Sequence, residues 1–143
     1  MKTETCARDG VTFRYPEEWS LDEDVTVDGW TATVQSPGTA FLLISLRPDA
    51  DDPAQVADQA LEALKGDYPE LDATDVTETI AGRLAIGYDI DFVALDATVA
   101  CRIRALDAED SPLLILTQCG EMDRAKHEPA LKAVVASLEI EEE

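Results

Sequence analysis

The side chains that could do nucleophilic or acid–base work are His127 and the thiols of Cys6, Cys101 and Cys119. Nucleophilic catalysis needs a base within reach of the nucleophile and a third group to orient the base. His127, the one histidine, lies in a charged stretch just ahead of Pro129, at or before a helix start. No neighbour in sequence orients it, so a solvated surface histidine is expected. Cys101 alternates with Val99, Ile103 and Ala105 on an apolar strand face, the setting of a buried, inert thiol. Cys119, just before Gly120, falls at an expected strand end, where a reactive role has more room but an inert one is still favoured. Cys6 has no partner that spacing identifies.

Among carboxylates, Asp89 and Asp91 share one face of a strand, and Arg102 and Arg104 share one face of the next. An acid–base dyad needs environments that separate the two pKa values. Arginines opposite both aspartates would instead keep both ionised, so a cross-strand salt-bridge ladder on an outer face is expected, worth roughly 0.2–1 kcal/mol per pair. Asp22, Glu23 and Asp24 form one acidic bunch, and Asp49, Asp51 and Asp52 another. A calcium loop wants a glycine at its bend and a distant bidentate glutamate. Asp49-Ala50-Asp51-Asp52-Pro53 has neither, and Asp52 is already explained as a helix cap. One histidine and scattered cysteines do not make a structural zinc site. No phosphate loop, dinucleotide fingerprint or nucleophile elbow is present. The sequence thus assigns no catalytic, cofactor-binding or metal-ligating residue; it leans away from an enzyme and implies no cofactor.

The whole chain sets the limits within which such residues work. Its 143 residues suit one domain, 1–143. Lysine and arginine number 11 against 31 aspartates and glutamates, a formal charge of 11 − 31 = −20. Such a surface repels phosphate backbones and anionic headgroups, which argues against nucleic acid and membrane as partners. A basic partner, multivalent cations, or solubility in a saline interior remain. Residues 1–6 contain no apolar signal-peptide core, no run approaches the ~18 apolar residues of a membrane span, and three cysteines lack a framework spacing. Free thiols and a cytoplasmic location are expected.

The elements that must position these groups follow from local patterns. Phe13 and Tyr15 share a strand face with Arg14 opposite, Pro16 stops that strand, and Trp19 can fold back over the sheet end. An earlier strand runs from Glu4 to Arg8, joined through Asp9-Gly10. Asp28-Gly29 predicts a hairpin between Val25-Thr26-Val27 and Trp30 to Val34, with Trp30 facing the core. Ser36-Pro37-Gly38-Thr39 suits a turn leading to an interior strand, Ala40 to Leu46. These strands make a β-meander. Asp52, Pro53 and Gln55 supply an N-cap, a first-turn proline and a capping-box residue for a helix from Pro53 to Lys65, with Gly66 as C-cap. Tyr68 then begins a connector. Leu84, Ile86, Tyr88, Ile90 and Phe92 alternate on one face of a long strand, with Gly87 permitting close approach. After Leu95-Asp96 come the Val99–Ala105 strand and an apolar interior strand, Leu113 to Thr117. Leu131, Val134, Val135 and Leu138 mark a terminal helix, its start limited by Pro129, and residues 139–143 read as a frayed tail. The class is α+β: an antiparallel sheet of about six or seven strands flanked by two main helices, with an edge strand left open.

With the opening Thr12-Phe13-Arg14-Tyr15-Pro16-Glu17-Glu18-Trp19 and the ending Leu131-Lys132-Ala133-Val134-Val135-Ala136-Ser137-Leu138-Glu139-Ile140, this order of elements resembles the PsbP-like superfamily. That fold is shared by the photosystem II extrinsic subunit PsbP, a small Ran-binding nuclear transport factor and bacterial DcrB-type proteins. The resemblance implies an antiparallel sheet flanked by helices that serves as a non-catalytic accessory or binding subunit. It carries no functional residue over, because such proteins use different surfaces for different partners. The expected function is a protein-interaction or accessory module with another protein as partner. The alternatives are a binder of a small ligand or divalent cation, or an enzyme with an unrecognised site, and an acidic neutraliser of a basic protein.

Overall fold

A computed structural model describes residues 2–27, 29–108 and 111–141. The first hairpin turns at Asp9-Gly10, both at positive φ, the conformation that matches a two-residue turn to strand twist. It joins β1 (Thr3–Arg8) to β2 (Val11–Pro16). Phe13 and Tyr15 are buried while Arg14 is exposed. Trp19 folds back as expected, its N–H donating to the Pro16 carbonyl at 3.0 Å, and is buried.

The next three strands, β3 (Ser20–Thr26), β4 (Gly29–Gln35) and β5 (Phe41–Leu46), form a meander. Asp28, expected in the turn between the first two, lies outside the described residues. After α1 (Pro53–Asp67) come β6 (Asp72–Ile80), β7 (Arg83–Ala94), β8 (Ala97–Ala108) and β9 (Ser111–Gly120). A 3-10 turn over Glu121–Asp123 leads into α2 (Arg124–Ala136), and β10 (Glu139–Ile140) follows. All pairings are antiparallel. One sheet of seven strands runs β3-β4-β5-β9-β8-β7-β6, and a sheet of three runs β1-β2-β10.

Three expectations need correction. The front strands do not form one meander, since β1 and β2 build the small sheet with β10. Glu139 and Ile140 are not frayed: they pair with Thr12 and Val11; Glu142 and Glu143 lie outside the described residues. Gly66 is not a C-cap. The helix runs through it to Asp67, and the Tyr68 N–H closes the last turn on the Leu64 carbonyl at 2.8 Å. Tyr68 is held there by stacking on Phe92, ring centroids 4.1 Å apart. On the alternating face of β7, Leu84 is 66% exposed and Ile86 half-buried. The apolar cluster under α1 takes the Tyr88–Ala94 half of β7.

Both faces of the large sheet are buried near its centre. On one, Val56, Ala57 and Leu61 of α1 pack on Ile90, Phe92, Cys101, Ile103 and Leu114. On the other, Trp30, Val34, Leu42, Ile44, Leu106 and Ile115 meet Phe13 of the small sheet and Leu131 and Val134 of α2. Burial on both faces explains why β9 reads as a continuous apolar run. The second face is the one that carries Arg102 and Arg104.

Candidate functional site

Between α2 and the large sheet lies a cleft of about 420 Å³. Arg102, Arg104, Ile115, Thr117 and Cys119 from β8 and β9 form its floor. Glu128, Leu131, Lys132 and Val135 of α2 make one wall, and the end of β6 at Glu78 to Ile80 makes the opposite lip. A more open depression on α2, lined by Glu121, Arg124, Ala125 and Pro129, shares Glu128 and Lys132 with it.

Period-2 alternation puts Arg102 and Arg104 on the same face of β8, and the β7–β8 register pairs Asp89 with Arg102 and Gly87 with Arg104. Gly87 has a steric reason: a Cβ there would run into the Ile103 carbonyl oxygen, so only glycine lets the strands approach this closely. Arg104 is buried and spends its donors inside the protein. Nε donates to Glu78 at 2.5 Å and Nη2 to Asp89 at 2.8 Å, while Nη1 reaches the carbonyls of Tyr88 and Ile103 at 3.2 and 3.0 Å. Burial disfavours its charge, but the hydrogen bonds to Glu78 and Asp89 outweigh that and raise its pKa. Arg102 donates through Nη2 to Glu128 at 2.8 Å, and its Nε lies 3.9 Å from Asp89. Glu128 also accepts from Arg124 Nε at 2.6 Å and sits 3.7 Å from Lys132 Nζ. The Arg124 hydrogen bond lowers the Glu128 pKa against burial, with the charges of Arg102 and Lys132 adding to it.

The expected ladder is therefore real in part. Asp89 joins Arg104 directly, but Asp91 registers against Ala100 and takes no part. Nor is the face an outer one, since α2 roofs it. The other two carboxylates, Glu78 and Glu128, come from a strand and a helix turn that sequence reasoning did not recover. No group here is placed as a nucleophile and base. Cys119 lines the cleft, yet burial first, then the charges of Asp123 and Glu128, raise its thiol pKa.

His127 overturns the surface expectation: it is buried, edge-on to Trp19 with ring centroids 5.7 Å apart. The cause is the true start of α2 at Arg124, with Pro129 inside the helix. His127 then falls on the stripe that includes Leu131, Val134 and Leu138, a spacing of four, three and four that was present in the sequence. It does not line the cleft. The start of α2 is tied down by Asp123, whose Oδ2 accepts from the Thr39 N–H and hydroxyl, both at 2.7 Å. The Thr39 hydroxyl bond, with the backbone bond, lowers the Asp123 pKa.

The other candidates are accounted for locally. Cys101 is buried, and burial pushes its thiol up to about 12. Cys6 donates to Glu23 at 3.2 Å, linking β1 to β3, and burial with that bond pushes it up to about 11. Asp52 caps α1 by accepting from the Gln55 N–H at 2.8 Å, and Gln55 accepts from the Asp51 N–H at 2.6 Å. Trp30 is buried in the core. Among the described residues, no cluster of three or more His, Cys, Asp or Glu is arranged to hold a metal ion, and no helix is long and apolar enough to cross a membrane.

No protein-family model and no curated protein matches the chain. Solved structures do. CyanoP, the cyanobacterial PsbP from Synechocystis sp. PCC 6803, superposes with a TM-score of 0.68 at 9% identity, over 98% of this chain and 92% of its own. PA94 from Pseudomonas aeruginosa, a protein of unknown function provisionally termed a regulator, gives 0.59 at 18% identity, covering 99% of each chain. LpqN from Mycobacterium tuberculosis, involved in cell envelope biogenesis, gives 0.55 at 14%, over 99% of this chain and 91% of its own. The chain has a PsbP-like α+β fold, as its opening and closing segments implied. At these identities the likeness extends to the fold alone.

Proposed function

We propose that the chain is a non-catalytic binding module whose partner is another protein and whose working site is the cleft beneath α2. One observation carries this: the cleft's charged side chains are paired with one another, and the thiol that lines it is kept protonated. Such a site can hold and orient a guest, but it has no group poised to attack or to move a proton. A small-ligand reading draws on the same cleft, whose volume falls within the range of small-molecule sites. The three free, buried thiols suit a reducing compartment, which supports a cytoplasmic site of action.

The test is a tagged pull-down from native lysate with the wild-type chain and with Ala100→Trp, which places an indole at a β8 residue lining the cleft. Circular dichroism first confirms that the variant folds. A stoichiometric protein retained by the wild type and lost by Ala100→Trp is the expected result. Equal retention by both would move the binding site away from the cleft.

A further inference from the structure

The charges inside the cleft narrow what can enter it, given the reading of the cleft as a binding site. Arg102, Arg124 and Lys132 all converge on the single carboxylate of Glu128. Arg102 also lies 3.9 Å from Asp89, which together with Glu78 holds Arg104. The four cations and three carboxylates of this network sum to 4 − 3 = +1, in a chain whose net charge is −20. Arg102 is a third exposed, and among the described residues its one hydrogen bond is from Nη2 to Glu128. Its remaining N–H groups suit a planar, two-oxygen anion. Ile80, Ile115, Leu131 and Val135 line the cleft beside it. The fitting guest is thus an apolar body ending in a carboxylate.

A free small acid would have to approach a strongly anionic chain unaided. A carboxylate that ends a polypeptide with basic residues upstream is drawn in instead. β6, whose end forms one lip, carries exposed Asp72 and Glu78 on the cleft face of the sheet to receive those residues. We propose that the cleft takes the C-terminal segment of a protein partner: an apolar last residue with its free carboxylate against Arg102 and Lys132, and basic residues upstream over the acidic lip.

Fluorescence anisotropy with a labelled Lys-Lys-Gly-Val-Leu peptide tests this on the full chain. The free-acid peptide is expected to bind about tenfold more tightly than its C-terminal amide. Arg102→Gln should remove that difference, and Arg102→Lys should restore part of it. Urea midpoints verify that both variants fold. Equal binding of acid and amide, or a difference that survives Arg102→Gln, would overturn the proposal. Competition by 4-methylpentanoate as strong as that of the peptide would overturn the C-terminal source in favour of a small acid. If the peptide fails while Ala100→Trp still abolishes partner capture, this inference falls and the cleft remains the site. If Ala100→Trp is also without effect, both fall.

Discussion

Replacing Arg104 with methionine tests whether the buried charge network holds the sheet together or merely occupies it. Methionine keeps the apolar stem, so the loss isolates the guanidinium. Four hydrogen bonds disappear: those to Glu78 and Asp89, and those to the carbonyls of Tyr88 and Ile103. Stripping one partner from a fully buried pair costs roughly 3–5 kcal/mol. Here the arginine side chain is 8% exposed, but its carboxylate partners are 46% and 47% exposed. Freed of Arg104, they regain water, so each pair counts closer to a surface pair, about 0.5–1 kcal/mol. The net expectation is a loss of about 1–2 kcal/mol, or about 3–7 °C in Tm for a chain of this length. Trp19 and Trp30 are both buried, so urea unfolding followed by tryptophan fluorescence reports the midpoint directly. The slope with denaturant should be unchanged, marking a stability effect rather than a change in compactness. Glu78→Gln and Asp89→Asn should each cost about half a kcal/mol by the same exposure argument. A variant as stable as the wild type, or more so, would refute the reasoning: burying the guanidinium would then cost as much as its bonds return.

Gly87→Ala should lose about 2 kcal/mol or more, because a methyl group there runs into the Ile103 carbonyl and the strands must part; an unchanged urea midpoint would contradict the close approach. Leu95 and Asp96 form the β7–β8 turn with φ of 51° and 63°, so Leu95→Asn with Asp96→Gly should gain about 1 kcal/mol by removing left-handed strain, read as a rise in Tm. Stability should be level up to about pH 9, the ordinary thiol value, then fall toward pH 12, because Cys6 at about 11 and Cys101 at about 12 keep their protons in the folded chain longer than in the unfolded one. Cys101→Val should flatten the upper part of that fall in a pH series of urea midpoints. In acid the sign reverses: Glu128 is depressed, so its contribution is complete above the ordinary carboxylate range and is lost as pH drops below it, a loss that Glu128→Gln should remove.

The elements that could be read from sequence are those whose signals are local. Asp52, Pro53 and Gln55 mark the start of α1 within four residues, and the Asp52 cap bond they predict is present, while Gln55 reaches back to the N–H of Asp51 rather than Asp52. The alternation of β8 placed Arg102 and Arg104 together, and so exposed half of the cleft floor. β6 was missed because what makes it a strand is the free edge of β7. Of its nine residues only Val76 and Ile80 are large and apolar, and neither Asp72 nor Thr74 has a core to face. Losing β6 meant losing Glu78. The start of α2 was missed for a related reason. Pro129 costs the helix one hydrogen bond, and the compensation comes from distant residues, Thr39 holding Asp123 and Trp19 covering His127. The cleft needs β6, β8 and α2 at once, so a chain read by local pattern yields its floor without its walls.

The distribution of charge then separates two readings that net charge alone could not. A surface acidified only for solubility has no reason to gather its few cations. Yet of 11 lysines and arginines, Arg102, Arg104, Arg124 and Lys132 meet around one cleft with Glu78, Asp89 and Glu128. Their sum is 4 − 3 = +1, which leaves −20 − 1 = −21 for the rest of the chain. Under the proposed reading, the net charge of the chain favours basic partners, while the +1 sum of the cleft network favours an anion. At physiological salt the two are felt in sequence, because screening over about 8 Å confines the cleft's own field to a guest already at its mouth. A single guest that satisfies both must be basic along its length and anionic at its end, which describes a polypeptide terminus better than any small ion.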